Sequence, residues 1–228
     1  MLSVQVKLNQ ANSKSPESPI HKQGGRLILR RFALFFALMV TGLAIDLWTK
    51  SLLFGLFFDP VSDGYQEPYW LIDGVFGFQC STNPGALFGI GKGHSALFAV
   101  FSLIALTGVF VWLFVFKAAY DRWLTFALGL ISGGILGNLY DRIGWGWLPG
   151  YPESIRTNVR DWILFRLDGV PFFDPWPNFN VADMLLVTGA IMLFIHAVFW
   201  AEPATTDKES AKNDIESAAN KKVEAVNE

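Results

Sequence analysis

The 228-residue chain has one cysteine, Cys80. That excludes an internal disulfide and any site built from several cysteines; the residue itself reads as a small apolar side chain in a loop. Histidine is nearly as scarce. His21, His94 and His196 do not cluster and no H-E-x-x-H occurs, so the usual helical zinc site has no ligands here and no metal is expected. Ser132 has no basic partner that the sequence identifies, which leaves a serine nucleophile without support. A net charge of -2 offers no basic footprint for nucleic acid. The most telling shortage is of charge within blocks. Between Lys92 and Lys117 lie 24 residues without Asp, Glu, Lys or Arg, and about 20 apolar residues carry a helix across the hydrocarbon of a bilayer.

What fills the chain instead is apolar: 52% of its residues are hydrophobic, gathered in blocks. Residues 123–140 and 184–201 each give 18 uncharged positions, at the short end of the range of about 17 to 25 for a span. Residues 32–58 are apolar except for Asp46 and Lys50. We read four transmembrane helices and an all-α membrane protein. Its organisation is a polar tail over residues 1–30, a four-span membrane domain over 31–201 and a second tail over 202–228. That last segment, rich in Ala, Glu, Lys and Asn with no aromatic residue, cannot bury enough apolar surface to order itself. Residues 1–25 lack the apolar core of a cleavable secretory signal.

Four crossings place both ends on one side. Lys7, Lys14, Lys22, Arg26, Arg30 and Arg31 precede the first span, Lys117 and Arg122 link the second to the third, and Lys208, Lys212, Lys221 and Lys222 follow the fourth. By the positive-inside rule the termini are cytoplasmic. At a rise of about 1.5 Å per residue, Asp46 then falls roughly 21 Å and Lys50 roughly 27 Å beyond the cytoplasmic end of span one. Four residues apart, they share a helix face and can pair, which lessens a burial penalty of about 2.5 to 3.5 kcal/mol per charge at mid-membrane. Span three runs outward and ends in GGILGNLYDR, bringing Asn138, Asp141 and Arg142 to the outer boundary on one face. Span four runs inward from Asn180 and Asp183. The outer loops add Asn83 in STNPGALFG and Asp161 in NVRDWILF, whose apolar neighbours read as a membrane-facing loop.

Each of these residues admits a plainer reading. Asp141 and Arg142 suit an interfacial ion pair, Asp183 suits a helix N-terminus, Gly133 and Gly137 suit a close helix contact, and Trp145, Trp147 and Tyr151 suit interfacial anchors. Yet ionisable groups at a membrane boundary are functional by default. Two aspartates held close where water is restricted cannot both ionise easily, so they can act as base and acid on a single water. Such a pair hydrolyses peptides. The rival is a small proton-coupled transporter using the same carboxylates, against which stands their gathering at one boundary and not at the midplane.

Five stretches in order, DLWTK (Asp46 to Lys50), NPGALFG (Asn83 to Gly89), GGILGNLYDR (Gly133 to Arg142), VRDW (Val159 to Trp162) and FNVAD (Phe179 to Asp183), resemble the motifs of the lipoprotein signal peptidase family, also called signal peptidase II. The likeness covers residues 32–200. It implies a bacterial inner-membrane aspartic peptidase that cleaves the signal peptide from prolipoproteins just before a diacylglyceryl-modified cysteine, with Asp161 and Asp183 as the catalytic pair. It further implies that Asp46, Lys50, Asn138, Asp141, Arg142 and Asn180 form a supporting polar network, that Asn83 and Gly85 serve substrate binding, and that WLIDGVFGFQCSTN forms a strand-like cradle on the outer face beside a periplasmic loop or helix. No cofactor is required, the partners are the lipidated substrate and membrane lipids, and a four-span unit can work as a monomer.

Three features depart from the family's pattern, the first being polar tails longer than the family core needs. The linker from Asp141 to Asp161 is longer than its usual connection, and Arg160 stands where the family carries an apolar residue. Pointed inward, that guanidinium would favour an ionised Asp161; we expect it to turn outward, toward lipid headgroups.

Overall fold

A computed structural model describes residues 19–59, 66–85, 91, 93–146, 151–170, 174 and 176–200, the first seven of them as backbone only. The two tails, residues 86–89 of the NPGALFG run, Ile90, Lys92 and Trp147 lie outside the described residues. Four helices form where the apolar blocks predict them: α1 (Pro19–Phe57), α2 (Ser95–Phe114), α3 (Arg122–Arg142) and α4 (Val181–Phe199). Each contains a stretch long and apolar enough to cross a membrane. Three strands, β1 (Tyr69–Ile72), β2 (Phe76–Asn83) and β3 (Val159–Phe165), form one antiparallel sheet of order β1-β2-β3, and short 3-10 turns at Ala118–Tyr120 and Glu153–Ile155 complete the described elements.

The middle helix is α3. Of its apolar window 67% is buried, against 11 to 17% in the other three, because glycines let its neighbours approach. A Cβ at Gly133 would stand 3.0 Å from the Met39 carbonyl on α1, one at Gly134 would stand 2.5 Å from the Ala182 carbonyl on α4, and one at Gly137 would meet the Asp46 carboxylate. The expected Gly133 and Gly137 contact is thus made against α1. One apolar cluster, including Phe35, Leu113, Ala119 and Leu128, packs α1, α2 and α3 together. A second, of Leu53, Phe54, Cys80, Trp162 and Ile163, joins α1 to the sheet. Cys80 therefore lies in strand β2 and not in a loop, buried, its thiol directed at the Leu53 carbonyl 3.5 Å away.

Both ends of α3 are set by local chemistry. Asp121 caps its start, accepting from the Leu124 N–H at 3.0 Å. Its last turn closes as a Schellman motif: the Gly144 N–H bonds Asp141 O at 2.9 Å and the Trp145 N–H bonds Tyr140 O at 3.2 Å, with Gly144 at φ +79°. The helix stops just after Asn138, Asp141 and Arg142, leaving all three in its final turns.

The cradle is a hairpin with an Asp73-Gly74 turn, Gly74 at φ +69°, followed by a pairing the sequence did not reveal. VRDWILF is strand β3, not a loop, and lies against β2 with Ser81 opposite Asp161 and Asn83 opposite Val159. On its other side, Phe179 exchanges backbone bonds with Ile163 at 2.9 and 3.2 Å. The start of α4 is thereby tied to β3, and this tie carries Asp161 to Asp183. Among the described residues, those up to Leu193 belong to one compact unit and Phe194 to Trp200 to another, in which the Trp200 N–H reaches the His196 carbonyl at 2.9 Å.

Candidate active site

Asp161 is 2% exposed. Its Oδ1 accepts from Asn180 Nδ2 at 2.6 Å and its Oδ2 from Asn83 Nδ2 at 3.2 Å. Burial is the main cause that pushes its carboxyl up to about 8, with the nearby Asp183 charge adding to it; Lys50 and the two asparagine bonds oppose.

Asp183 owes its place to helix capping. Asn180 precedes the first residue of α4 and its Oδ1 accepts from the Asp183 N–H at 3.0 Å, while Asp183 Oδ2 accepts from the Asn180 N–H at 3.2 Å. This is a reciprocal capping box. The helix-terminal reading of Asp183 is therefore correct, and the box leaves its other oxygen, Oδ1, to receive Asn138 Nδ2 at 2.8 Å. Asn180 consequently holds both carboxylates, one through its side chain and the other through its backbone.

Behind the pair lies a buried charge network. Lys50 Nζ sits 2.7 Å from Asp46 Oδ2, 3.1 Å from Asp141 Oδ2 and 3.1 Å from Asn138 Oδ1, and Lys50, Asp46 and Asp141 are each 0% exposed. The expected pairing of Asp46 with Lys50 is made. Asp46 Oδ1 also accepts from the Ala182 N–H at 2.9 Å, a second cap on α4 supplied from α1. Asp141 does not serve a surface pair. It binds Lys50 and, at 2.8 Å, Arg160.

Arg160 corrects an expectation. It is 2% exposed and faces Asp141 instead of headgroups. Alternation along β3 puts residues 160 and 161 on opposite faces, so Arg160 turns inward yet away from Asp161. A buried carboxylate satisfies a guanidinium as water would.

A cavity of about 520 Å³ opens on this array, and Asn83, Gly85, Asn138, Arg142, Asp161 and Asp183 all line it. Arg142 reaches the Gly85 carbonyl at 3.4 Å and lies 5.4 Å from the centre of the Phe98 ring. Asn83 spends both ends of its amide within the protein, on Asp161 and on the Gly85 N–H at 3.0 Å. Asp46, Lys50, Asp141 and Asn180 stand behind the lining. Among the lining residues that the sequence did not single out is Asn178, whose Nδ2 donates to Gln79 O at 2.8 Å and to Ser81 Oγ at 3.2 Å. The signal was there, since the N-x-N of PNFN puts Asn178 and Asn180 two apart in an extended run.

The family model for Signal peptidase (SPase) II matches residues 38–199. The chain belongs to the signal peptidase II family. It is similar to the lipoprotein signal peptidase of Rhodopirellula baltica, 46% identical over 195 residues that cover 84% of this chain and 83% of the relative. It is also similar to that of Geobacillus thermodenitrificans, 30% identical over 173 residues covering 76% and 94%. Its fold is similar to a bacterial membrane enzyme solved by the in meso method, with a TM-score of 0.57 and 24% identity over 72% of this chain and 87% of the other. As a signal peptidase the protein is a hydrolase, and with its four apolar helices a multi-pass membrane protein. The transporter alternative finds no support.

Proposed function

We propose that this signal peptidase is an aspartic endopeptidase, with Asp161 as acid and Asp183 as base, acting on prolipoproteins just before a diacylglyceryl-modified cysteine. The observation that carries the catalytic type is the double grip of Asn180: Nδ2 on Asp161 at 2.6 Å and backbone N–H on Asp183 at 3.2 Å, with both carboxylates on one cavity. A carboxyl titrating at about 8 keeps its proton at neutral pH, which suits Asp161 to donate.

In the reaction Asp183 takes a proton from water as the water oxygen bonds the scissile carbonyl carbon. Asp161 then gives its proton to the amide nitrogen as the C–N bond breaks. The signal peptide leaves with a new carboxyl group and the cysteine with a free amino group; proton exchange with solvent returns the pair to its starting state. Lys50, Asp46, Asp141, Asn138 and Asn180 hold the pair, while Asn83, Gly85 and Arg142 shape the cavity wall. The distribution of Lys and Arg supports cytoplasmic termini and a site at the outer face, within a catalytic domain spanning residues 31–201. The lipid on the substrate would keep it in the bilayer plane beside a monomeric enzyme.

The test is cleavage of a lipidated prolipoprotein by purified protein in detergent. Wild type should release the signal peptide, while Asp161→Asn and Asp183→Asn should insert and purify but leave the substrate whole. Wild-type cleavage by either variant overturns the assignment, and a requirement for the lipid on the substrate checks the substrate class.

A further inference from the structure

We propose that Arg160 is a positioning residue for Asp161, held by Asp141 and covered by the turn that follows α3. The inference rests on the reading of Asp161 as the acid.

Asp141 grips residue 160 at three points. Its Oδ2 accepts from the Arg160 backbone N–H at 3.1 Å, and its Oδ1 accepts from Nε at 2.9 Å and lies 2.8 Å from the terminal guanidinium nitrogen. A carboxylate that binds both the peptide N–H and the side chain of one residue fixes its backbone and rotamer together. Asp161 is the next residue, and its bonds of 2.6 and 3.2 Å to Asn180 and Asn83 tolerate displacements of only about 0.5 Å before a site loses its working geometry. The grip is dry: Asp141 is 0% and Arg160 2% exposed. Gly146, in the turn after α3, lies directly against it, for a Cβ there would run into the Asp141 carboxylate and stand 2.5 Å from the Arg160 guanidinium. The turn directly after α3 thus closes over this pair at Gly146.

Charge points the same way. Asp46 and Asp141 are balanced by Lys50 and Arg160. Without Arg160 one ammonium faces two carboxylates, and the surplus negative charge lies buried beside residue 160, next in the chain to Asp161, which faces Lys50 from α1, Arg142 from α3 and Asp183 from α4. Because Arg160 is not among the residues lining the cavity, its loss should alter turnover and proton retention while leaving substrate binding alone.

The experiment compares Arg160→Met, Arg160→Lys and the double variant Arg160→Met with Asp141→Asn, each full-length in detergent with a lipidated prolipoprotein, following kcat, KM, the pH profile and thermal melting. A misplacement approaching 1 Å can cost about 100-fold, so Arg160→Met should lose about tenfold or more in kcat with KM unchanged, and its alkaline limb should move upward. Arg160→Lys should recover part of kcat. The double variant, balanced in charge but without the grip, should recover the melting temperature and the pH limb but not kcat. Wild-type kcat in Arg160→Met, or in the double variant, overturns the proposal; if Arg160→Met does not fold, the double variant decides alone. Cleavage by Asp161→Asn in the same assay would instead remove the reading of Asp161 itself.

Discussion

Lys50 donates to Asn138 Oδ1 at 3.1 Å, and that bond decides which way the Asn138 amide faces. An ammonium can only donate, so the oxygen of Asn138 must turn to it, and Asn180 Nδ2 reinforces the choice at 3.2 Å. The nitrogen of Asn138 is left pointing at Asp183 Oδ1, 2.8 Å away. A charge on α1 thus orients a donor on α3 toward a carboxylate on α4.

Replacing Lys50 with Met should remove this orientation and leave Asp46 and Asp141 facing each other across an apolar side chain. Breaking a buried pair by deleting one partner costs about 3 to 5 kcal/mol. The variant should therefore melt well below wild type and show greatly reduced cleavage, both measurable on detergent-purified protein. Wild-type melting would show that the network holds nothing.

The pH dependence follows from Asp161. Its folded-state value of about 8 lies above the ordinary 3.8, so between these limits the folded protein keeps a proton that the unfolded chain releases. The resulting stability is full below about pH 4 and is lost as pH rises through about 8. Donation to the leaving amine fails over the same upper limb, so kcat should fall above about pH 8. Asp161→Asn, which cannot ionise, should be inactive yet gain on wild type in melting temperature as the pH rises from about 4 to 8. A melting difference that does not change with pH would contradict the assignment.

The legible parts of this molecule were those governed by short-range or bilayer-wide rules. Hydropathy located α2, α3 and α4 because a lipid environment leaves the backbone few alternatives, while Asp46 and Lys50 left the first span ambiguous by hydropathy alone. A four-residue spacing paired Asp46 with Lys50, and the directions of spans three and four with the outer loop between them brought Asn138, Asp161 and Asp183 to one layer. What escaped were pairings across distance. Nothing local in VRDWILF says that its partner is FGFQCSTN, since the register depends on a strand some 80 residues earlier. Arg160 was misread because hydropathy treats an arginine as seeking water. Asp141, already bound to Lys50 through one oxygen, still had another to offer.

Close helix contact makes a second, contrasting pair of substitutions informative. A Cβ at Gly137 would collide with the Asp46 carboxylate and lie 3.1 Å from Ala182 Cβ, whereas one at Gly108 on α2 meets nothing within 4 Å. Gly108→Ala should be neutral or stabilise by about 0.5 to 1 kcal/mol, the ordinary helix gain. Gly137→Ala should destabilise by about 1 to 3 kcal/mol, as overpacking does, and should depress kcat because the displaced groups cap α4. Equal melting temperatures for the two variants would deny that α3 is packed against α1 at this point.

Asn178 offers a test of how the start of α4 is held. Its side-chain nitrogen bonds Gln79 O at 2.8 Å, Gln79 Oε1 at 3.3 Å and Ser81 Oγ at 3.2 Å, all on the strand that pairs with Asp161's own. The next residue, Phe179, makes the backbone bonds to Ile163, and the one after is Asn180. Asn178→Ala leaves the Gln79 carbonyl without this donor, at a cost of about 1 to 2 kcal/mol for a half-buried group, and loosens the run that carries Asn180 to Asp161. Amide hydrogen exchange should quicken at Phe179 and Ile163 while the middle of α3 stays protected, and cleavage should slow without the complete loss expected of Asp161→Asn. Unchanged exchange at Phe179 would mean that its bonds to β3 alone set the geometry and that Asn178 contributes only to the cavity wall.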